Sequence, residues 1–212
     1  MRGNSLPKAP SLREQLGLDD ETTLVGFLGR LMPEKGFPVL LDAAERLAKF
    51  GGVPRFHLVA FGSGDYRREY ARRAEERGLA PFVTLRDFVP DVRPVLDQLD
   101  LVAVPSLWEA SSLLSMEAMC AGVPVLGSDC PGLREVLRGS PSRTVQTGCV
   151  AALETGLRGA LAAPWYAAAA AYAPVARERF DVRRSALRLV ELYDAVSAER
   201  SRPAVSFSFA GR

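Results

Sequence analysis

Histidine is nearly absent from this 212-residue sequence, with His57 the only one. That excludes a histidine-based metal cage and leaves a Ser-His-Asp triad a single candidate base. Cysteine is scarce and odd in number, at Cys120, Cys130 and Cys149, with no CxxC and no Cys/His ligand spacing. Such a set builds neither a disulfide framework nor a zinc site, and it reads as the reduced core cysteines of a cytoplasmic protein. Lysine occurs only at Lys8, Lys35 and Lys49, so the basic side chains are almost all arginine. With frequent alanine, this composition points to a GC-rich bacterial coding sequence. An excess of one charge is also missing: 27 basic and 25 acidic side chains give a net charge of +2, which calls for no nucleic-acid partner and no anionic membrane. The longest apolar run, Leu161 to Ala176, carries Pro164 and Pro174 and falls short of the roughly 20 residues of a membrane-spanning helix. The first residues given, MRGNSLPKAPSLREQ, have no apolar core and do not read as a signal peptide.

What is present is the composition of a globular α/β protein, 48% hydrophobic and 25% charged. Residues 1–20 read as a linker with a short helix, SLREQLGL, closed by Gly17. From there short apolar runs alternate with helical periodicity. Strands are predicted at 22–28, 56–61, 82–85, 100–105, 123–127 and 142–147. Helices are predicted at 37–49, 66–77, 91–98, 112–121 and 131–138, with three more at 149–162, 165–179 and 182–199. Residues 201–212 read as a frayed tail. The strands are continuous apolar runs, as expected where helices cover both faces of a sheet. The fold expected over 21–200 is a doubly wound, Rossmann-like parallel sheet of about six strands. Such sheets bind ligands beyond the carboxyl ends of their strands, so the residues there carry the functional reading.

The first strand is followed by Gly29-Arg30-Leu31-Met32-Pro33-Glu34-Lys35-Gly36, two cations five apart leading into a helix N-terminus, where backbone N–H groups favour an anion. The plain alternative is a solvated loop with a Glu34–Lys35 charge pair. No Walker loop and no G-x-G-x-x-G fingerprint is present. Gly62-Ser63-Gly64-Asp65, after the second strand, reads as a turn with an Asp N-cap or as backbone brought close to a ligand or another loop. His57 reads as a packed sheet histidine. Glu109 stands in the loop after the fourth strand, and Ser111 or Ser112 caps the helix that follows. Glu117 falls among Leu113, Leu114, Met116, Met119 and Cys120, where a buried carboxylate needs donors. Those donors are either a neighbouring loop's N–H groups or the vicinal hydroxyls of a ribose. The turn Ser128-Asp129-Cys130-Pro131-Gly132 reads as structural.

The runs VGFLGRLMPEKGFPVLLDAAERL, LVAFGSG and DLVAVPSLWEASSLLSMEAMCAGVPVLGSDCPGLREV resemble the donor-binding C-terminal domain of group-one, family 4 retaining GT-B glycosyltransferases. The resemblance covers about residues 20–195. Its most specific part is Glu109, seven residues, Glu117, followed by AMCAGVPV. It implies a two-domain enzyme with a nucleotide-diphosphate sugar, UDP-, GDP- or ADP-linked, in the cleft between domains, and no metal or other cofactor in catalysis. Arg30 and Lys35, just after Gly29, match the residues that hold the donor diphosphate. Glu109 matches the acid near the transferred sugar, and Glu117 the acid on the ribose hydroxyls. Ser111, Ser112, Leu113 and Leu114 match the loop whose N–H groups touch sugar and phosphate. Asp87, Phe88 and Val89 match the segment that lines the base. Where the family often has a Gly-Phe-Gly-like triplet, this sequence has Ala110-Ser111-Ser112. The family's N-terminal acceptor domain has no counterpart here, so the expectation is a donor-binding fragment, inactive alone, whose last helix exposes an apolar face. The alternative is a non-catalytic nucleotide-sugar-binding or scaffold module of the same fold.

Overall fold

The structure, a computed structural model, describes residues 10–200. The predicted frayed tail at 201–212 and the first nine residues of the predicted linker lie outside the described residues. The described chain divides into two units, one ending at Ala176 and the other beginning at Arg177.

In the first unit the short apolar runs become six strands: β1 (Thr23–Leu28), β2 (Phe56–Phe61), β3 (Val83–Arg86), β4 (Leu101–Val104), β5 (Val125–Ser128) and β6 (Arg143–Val145). All pair in parallel, in the order β3-β2-β1-β4-β5-β6. The central strands are buried along nearly their whole length, and only the edge strands β3 and β6 are partly open. That distribution is why the central strands are written as unbroken apolar runs.

The helices follow the same logic. α1 (Leu12–Leu16) begins at a capping box: Ser11 Oγ accepts from the Glu14 N–H, and Glu14 Oε2 accepts from the Ser11 N–H. Arg13 pairs with Asp100, whose carboxylate also accepts the Leu24 N–H, so α1 is tied to the starts of β1 and β4. α2 (Phe37–Phe50) turns Phe37, Leu40, Leu41, Ala44 and Leu47 onto the sheet. α3 (Arg67–Glu76) and α7 (Val150–Ala162) share that core, where the Phe37 ring lies 4.9 Å from Phe27 and 5.5 Å from Tyr70. α4 (Arg93–Leu96), α5 (Leu113–Ala121) and α6 (Pro131–Leu137) pack in sequence on the opposite face. α8 (Tyr166–Arg179) buries its alanines Ala169, Ala173 and Ala176.

The second unit is mainly α9 (Val182–Arg200), which exposes Val182, Leu189, Val190, Tyr193 and Val196 among its apolar residues. Among the described residues no helix is long and apolar enough to cross a membrane.

The predicted short strands at 82–85 and 142–147 form, but each is shorter or shifted, as is usual where a strand closes a sheet edge. His57 is a packed sheet histidine: Nδ1 faces the Pro81 carbonyl at 3.2 Å and Nε2 faces Thr84 Oγ1 at 2.9 Å. None of the three cysteines forms a disulfide, but only Cys130 is buried, and Cys120 and Cys149 are half-buried.

Candidate functional site

The strand order reverses direction between β1 and β4, which pair over only two positions, Val25 with Leu101 and Gly26 with Val102. Beyond Leu28 and Val104 the loops that follow β1 and β4 border a crevice at this switch point. Gly36 lets them approach: its φ is 70°, and a Cβ there would stand 2.0 Å from the Pro105 carbonyl oxygen. The Glu34 carbonyl accepts N–H groups of Leu107 at 2.8 Å and Trp108 at 3.4 Å, so the loops after β1 and β4 are tied by backbone. On the other side the loop after β4 lies against the start of α6. A Cβ on Gly132 would meet the Glu109 backbone carbonyl oxygen at 2.2 Å.

This framework brings together charged residues predicted from opposite halves of the site. Lys35 Nζ donates to Glu109 Oε1 at 2.7 Å across 74 residues of sequence, and both side chains are largely buried. Ser106 Oγ donates to the same Oε1 at 2.9 Å. Arg30 is 68% exposed and pairs with Glu34 at 3.2 Å. The plain alternative, a Glu34–Lys35 surface pair, therefore does not form: Glu34 turns to Arg30, four residues back, and Lys35 turns inward to Glu109.

Ser112, not Ser111, is the N-cap of α5, and its side chain accepts from the Ser115 N–H. Its carbonyl takes the Met116 N–H. The first two N–H groups of the helix, those of Leu113 and Leu114, are left without an acceptor among the described residues, as the geometry of a helix start dictates. With the aligned peptide dipoles they make an anion-favouring end.

Two adjoining cavities fill the crevice. One, of about 300 Å³, is bordered by Gly29, Arg30, Lys35, Glu109 and the run from Ser111 through Ser112 and Leu113 to Leu114. The other, of about 250 Å³, is bordered by Phe61, Ser63, Phe88, Val89, Val92 and Glu117. Leu28, Gly29, Arg30 and Leu114 belong to both, so the two form one cleft.

Glu117 is exposed to this cleft, which corrects the expectation of a carboxylate buried among apolar neighbours. The periodicity of α5 placed it inside an apolar segment. On the helix, though, Ala118 and Met119 take the core face and Glu117 looks outward. No neighbouring loop donates to it among the described residues. The apolar wall still withholds water from its carboxyl and, with the negative charge of Asp91 added, raises its pKa above the usual glutamate range.

Asp87 borders neither cavity. Its carboxylate is 93% exposed and pairs with Arg67 at 2.9 Å, so of its segment only Phe88 and Val89 face the cleft. Ser63, Val92 and Ser106 were missed. The sequence does carry a signal for Ser63, in its position between two glycines at a strand end, and for Ser106, three residues before Glu109. Val92 carries no sequence signal. The Ser63 carbonyl accepts the Leu31 N–H at 2.8 Å, so the Gly62-Ser63-Gly64 turn serves loop-to-loop approach as well as the cavity wall. Asp129 is structural, its Oδ1 taking both the N–H and the hydroxyl of Thr147. Among the described residues no group of three or more His, Cys, Asp or Glu could hold a metal ion.

Comparison with known proteins gives this cleft a context. The family of glycosyl transferases group 1 matches residues 22–171. A 2-deoxystreptamine N-acetyl-D-glucosaminyltransferase of Streptomyces fradiae is 33% identical over 150 residues, covering 69% of this chain and 36% of its own. A D-inositol 3-phosphate glycosyltransferase of Rhodococcus erythropolis is 35% identical over 195 residues, covering 86% of this chain and 43% of its own. Among solved structures, Anabaena Alr3699/HepE in complex with UDP and glucose superposes with a TM-score of 0.76 at 26% identity, covering 87% of this chain and 51% of that one. The chain thus spans about half the length of that structure and less of the two curated relatives.

Proposed function

The chain belongs to the group 1 glycosyltransferases, and from that premise we propose that it is the half of a retaining enzyme that binds a nucleotide-diphosphate sugar. The observation that carries the reading is the Lys35–Glu109 contact inside a cavity at the sheet's switch point, with the free N–H groups of α5 on the same wall. An ammonium, a guanidinium and a helix N-terminus around one space suit a diphosphate. A carboxylate on the far side of the ammonium suits sugar hydroxyls.

In this reading the diphosphate lies between Arg30, Lys35 and the Leu113 and Leu114 N–H groups. Glu117 accepts the two ribose hydroxyls, and Phe88 and Val89 border the base. The transferred sugar occupies the space beside Glu109, narrowed by Ser111 and Ser112. Transfer breaks the bond from the sugar's anomeric carbon to the phosphate oxygen and forms one to the acceptor oxygen on the same face. The acceptor's proton passes to the departing phosphate. Negative charge gathers on that phosphate in the transition state, where fixed cations and helix N–H groups act with little reorganisation. The resident positive charge supports transfer without a metal ion. The acceptor-binding face belongs, in this reading, to a further domain of a longer enzyme, and residues 21–200 form the donor domain. Three cysteines with no disulfide among them accord with a cytoplasmic setting.

Calorimetric titration with UDP, GDP and ADP, without magnesium, tests the reading. One of the three is expected to bind, and both Lys35→Ala and Glu117→Ala are expected to weaken it by about tenfold or more. A folded protein that binds none of them sinks the proposal.

A further inference from the structure

Glu109 is held by more than Lys35. Its Oε1 accepts two hydrogen bonds at once, from Lys35 Nζ at 2.7 Å and from Ser106 Oγ at 2.9 Å. Among the described residues no donor reaches Oε2. Ser106 is in turn fixed from the next strand: the Ser128 hydroxyl, at the end of β5, donates to the Ser106 carbonyl oxygen. Both serines are 2% exposed, so neither hydroxyl is spent on solvent. A buried hydroxyl that donates to a carboxylate at a cavity wall restricts the carboxylate's rotation and commits its proton to one oxygen.

We propose that Ser106 is a positioning residue for the sugar subsite: with Ser128 behind it, it locks Glu109 so that Oε1 faces Lys35 and Oε2 alone is presented to the ligand. The proposal rests on the nucleotide-diphosphate-sugar reading and adds a division of labour within Glu109. Without the Ser106 hydroxyl, the Lys35 ammonium alone holds the carboxylate, and an ammonium is a non-directional donor on a flexible stem. The carboxylate then swings, and either oxygen can turn to the lysine. Lys35 keeps a partner in every case, so the diphosphate side of the cleft is untouched. The signature is therefore a selective loss of affinity for the sugar-bearing ligand.

The experiment is calorimetry on the intact chain with whichever of UDP, GDP or ADP binds, and with the glucose conjugate of that nucleotide. The quantity read is the ratio of the two affinities. Ser106→Ala is expected to shift the ratio against the sugar conjugate by about tenfold, with the diphosphate affinity within about twofold of the parent. Ser106→Thr, which keeps the hydroxyl, restores the parent ratio. Ser128→Ala shifts the ratio in the same direction by less, and it serves as the test if Ser106→Ala fails to fold. A ratio unchanged in these alanine variants overturns the positioning role while the nucleotide reading stands. Equal losses for both ligands also overturn it. A parent protein that binds no nucleotide diphosphate removes the premise itself, and that outcome is distinct from both.

Discussion

At the scale of single residues, the cleft works by dividing charge between positions that look alike in sequence. Arg30 and Lys35 are both cations of one loop, but the first is a solvated surface charge paired with Glu34 and the second is seated against Glu109. A surface pair contributes little and exchanges readily. Losing Lys35 instead leaves the Glu109 carboxylate part-buried without its counter-charge. Lys35→Ala is thus expected to weaken nucleotide-diphosphate binding more than Arg30→Ala, and equal effects in a titration contradict that ranking. Asp87→Ala, by contrast, removes only the exposed pair to Arg67 and leaves affinity within about twofold, by the same measurement.

Glu117 gives the site a pH dependence. Its carboxyl is pushed above the usual glutamate range by its apolar surroundings and by Asp91. A carboxylate that accepts two ribose hydroxyls acts in its charged form. As pH falls, protonation of Glu117 therefore begins to weaken binding at a pH above where an ordinary glutamate would. Affinity measured from neutral to acid pH should fall along this limb in the parent and stay flat in Glu117→Gln. A parent profile flat down to the ordinary glutamate range contradicts the assignment.

At the scale of elements, the site depends on close approaches that few sequences allow. Gly36 combines a φ of 70° with a Pro105 oxygen 2.0 Å from where a Cβ would sit. Gly36→Ala forces the loop after β1 away from the loop after β4, at a cost of about 2–4 kcal/mol. A thermal melt should show a fall of several degrees, together with weakened binding, since the Glu34 carbonyl can no longer hold both Leu107 and Trp108.

β2 and β3 carry a second pH effect, this one on stability. Burial lowers the His57 pKa, and its partners fit a neutral ring, with Nδ1 donating to the Pro81 carbonyl and Nε2 accepting from Thr84. Unfolded, the ring takes up a proton near its ordinary pKa of about 6.5; folded, it does so only at lower pH. This contribution is thus fully present above that pKa and is lost as pH falls below it. Denaturant melts from pH 7.5 to 5 should show less acid loss in His57→Gln, and parallel slopes would remove His57 as the cause.

The elements themselves were legible because helix and strand periods differ so sharply in this chain. All six strands and the helices between them stand where the apolar spacing put them. The site was legible in part for the same reason: parallel βα units send every strand's carboxyl end to one edge, so Lys35 and Glu109 had to share it. What sequence did not disclose was side-chain choice among neighbours. Glu34 chose Arg30 over Lys35, Ser112 rather than Ser111 became the cap, and Asp87 turned to Arg67. Glu117 differs because an apolar neighbourhood in sequence is not one in space: Ser115, Ala118 and Met119 take the core face of α5, and Glu117 faces the open cleft.

At the scale of the whole molecule, the β3-β2-β1-β4-β5-β6 order places one reversal in the sheet, and everything proposed for function sits at its mouth. Loops after β1, β2, β3 and β4 all border the cleft. A ligand bridging the four would add to the backbone ties already between these loops, and saturating nucleotide should raise the melting temperature by mass action. The proposed function comes down to one placement: a phosphate-bearing ligand between Lys35 and the start of α5, with its sugar toward Glu109. A crystal structure of the chain with a nucleotide-diphosphate sugar tests this most directly. Phosphate oxygens are expected within about 3 Å of Lys35 Nζ and of the Leu113 or Leu114 N–H nitrogen, with ribose hydroxyls on Glu117. Nucleotide bound elsewhere, or bound here with its phosphates turned away from Lys35, would contradict it.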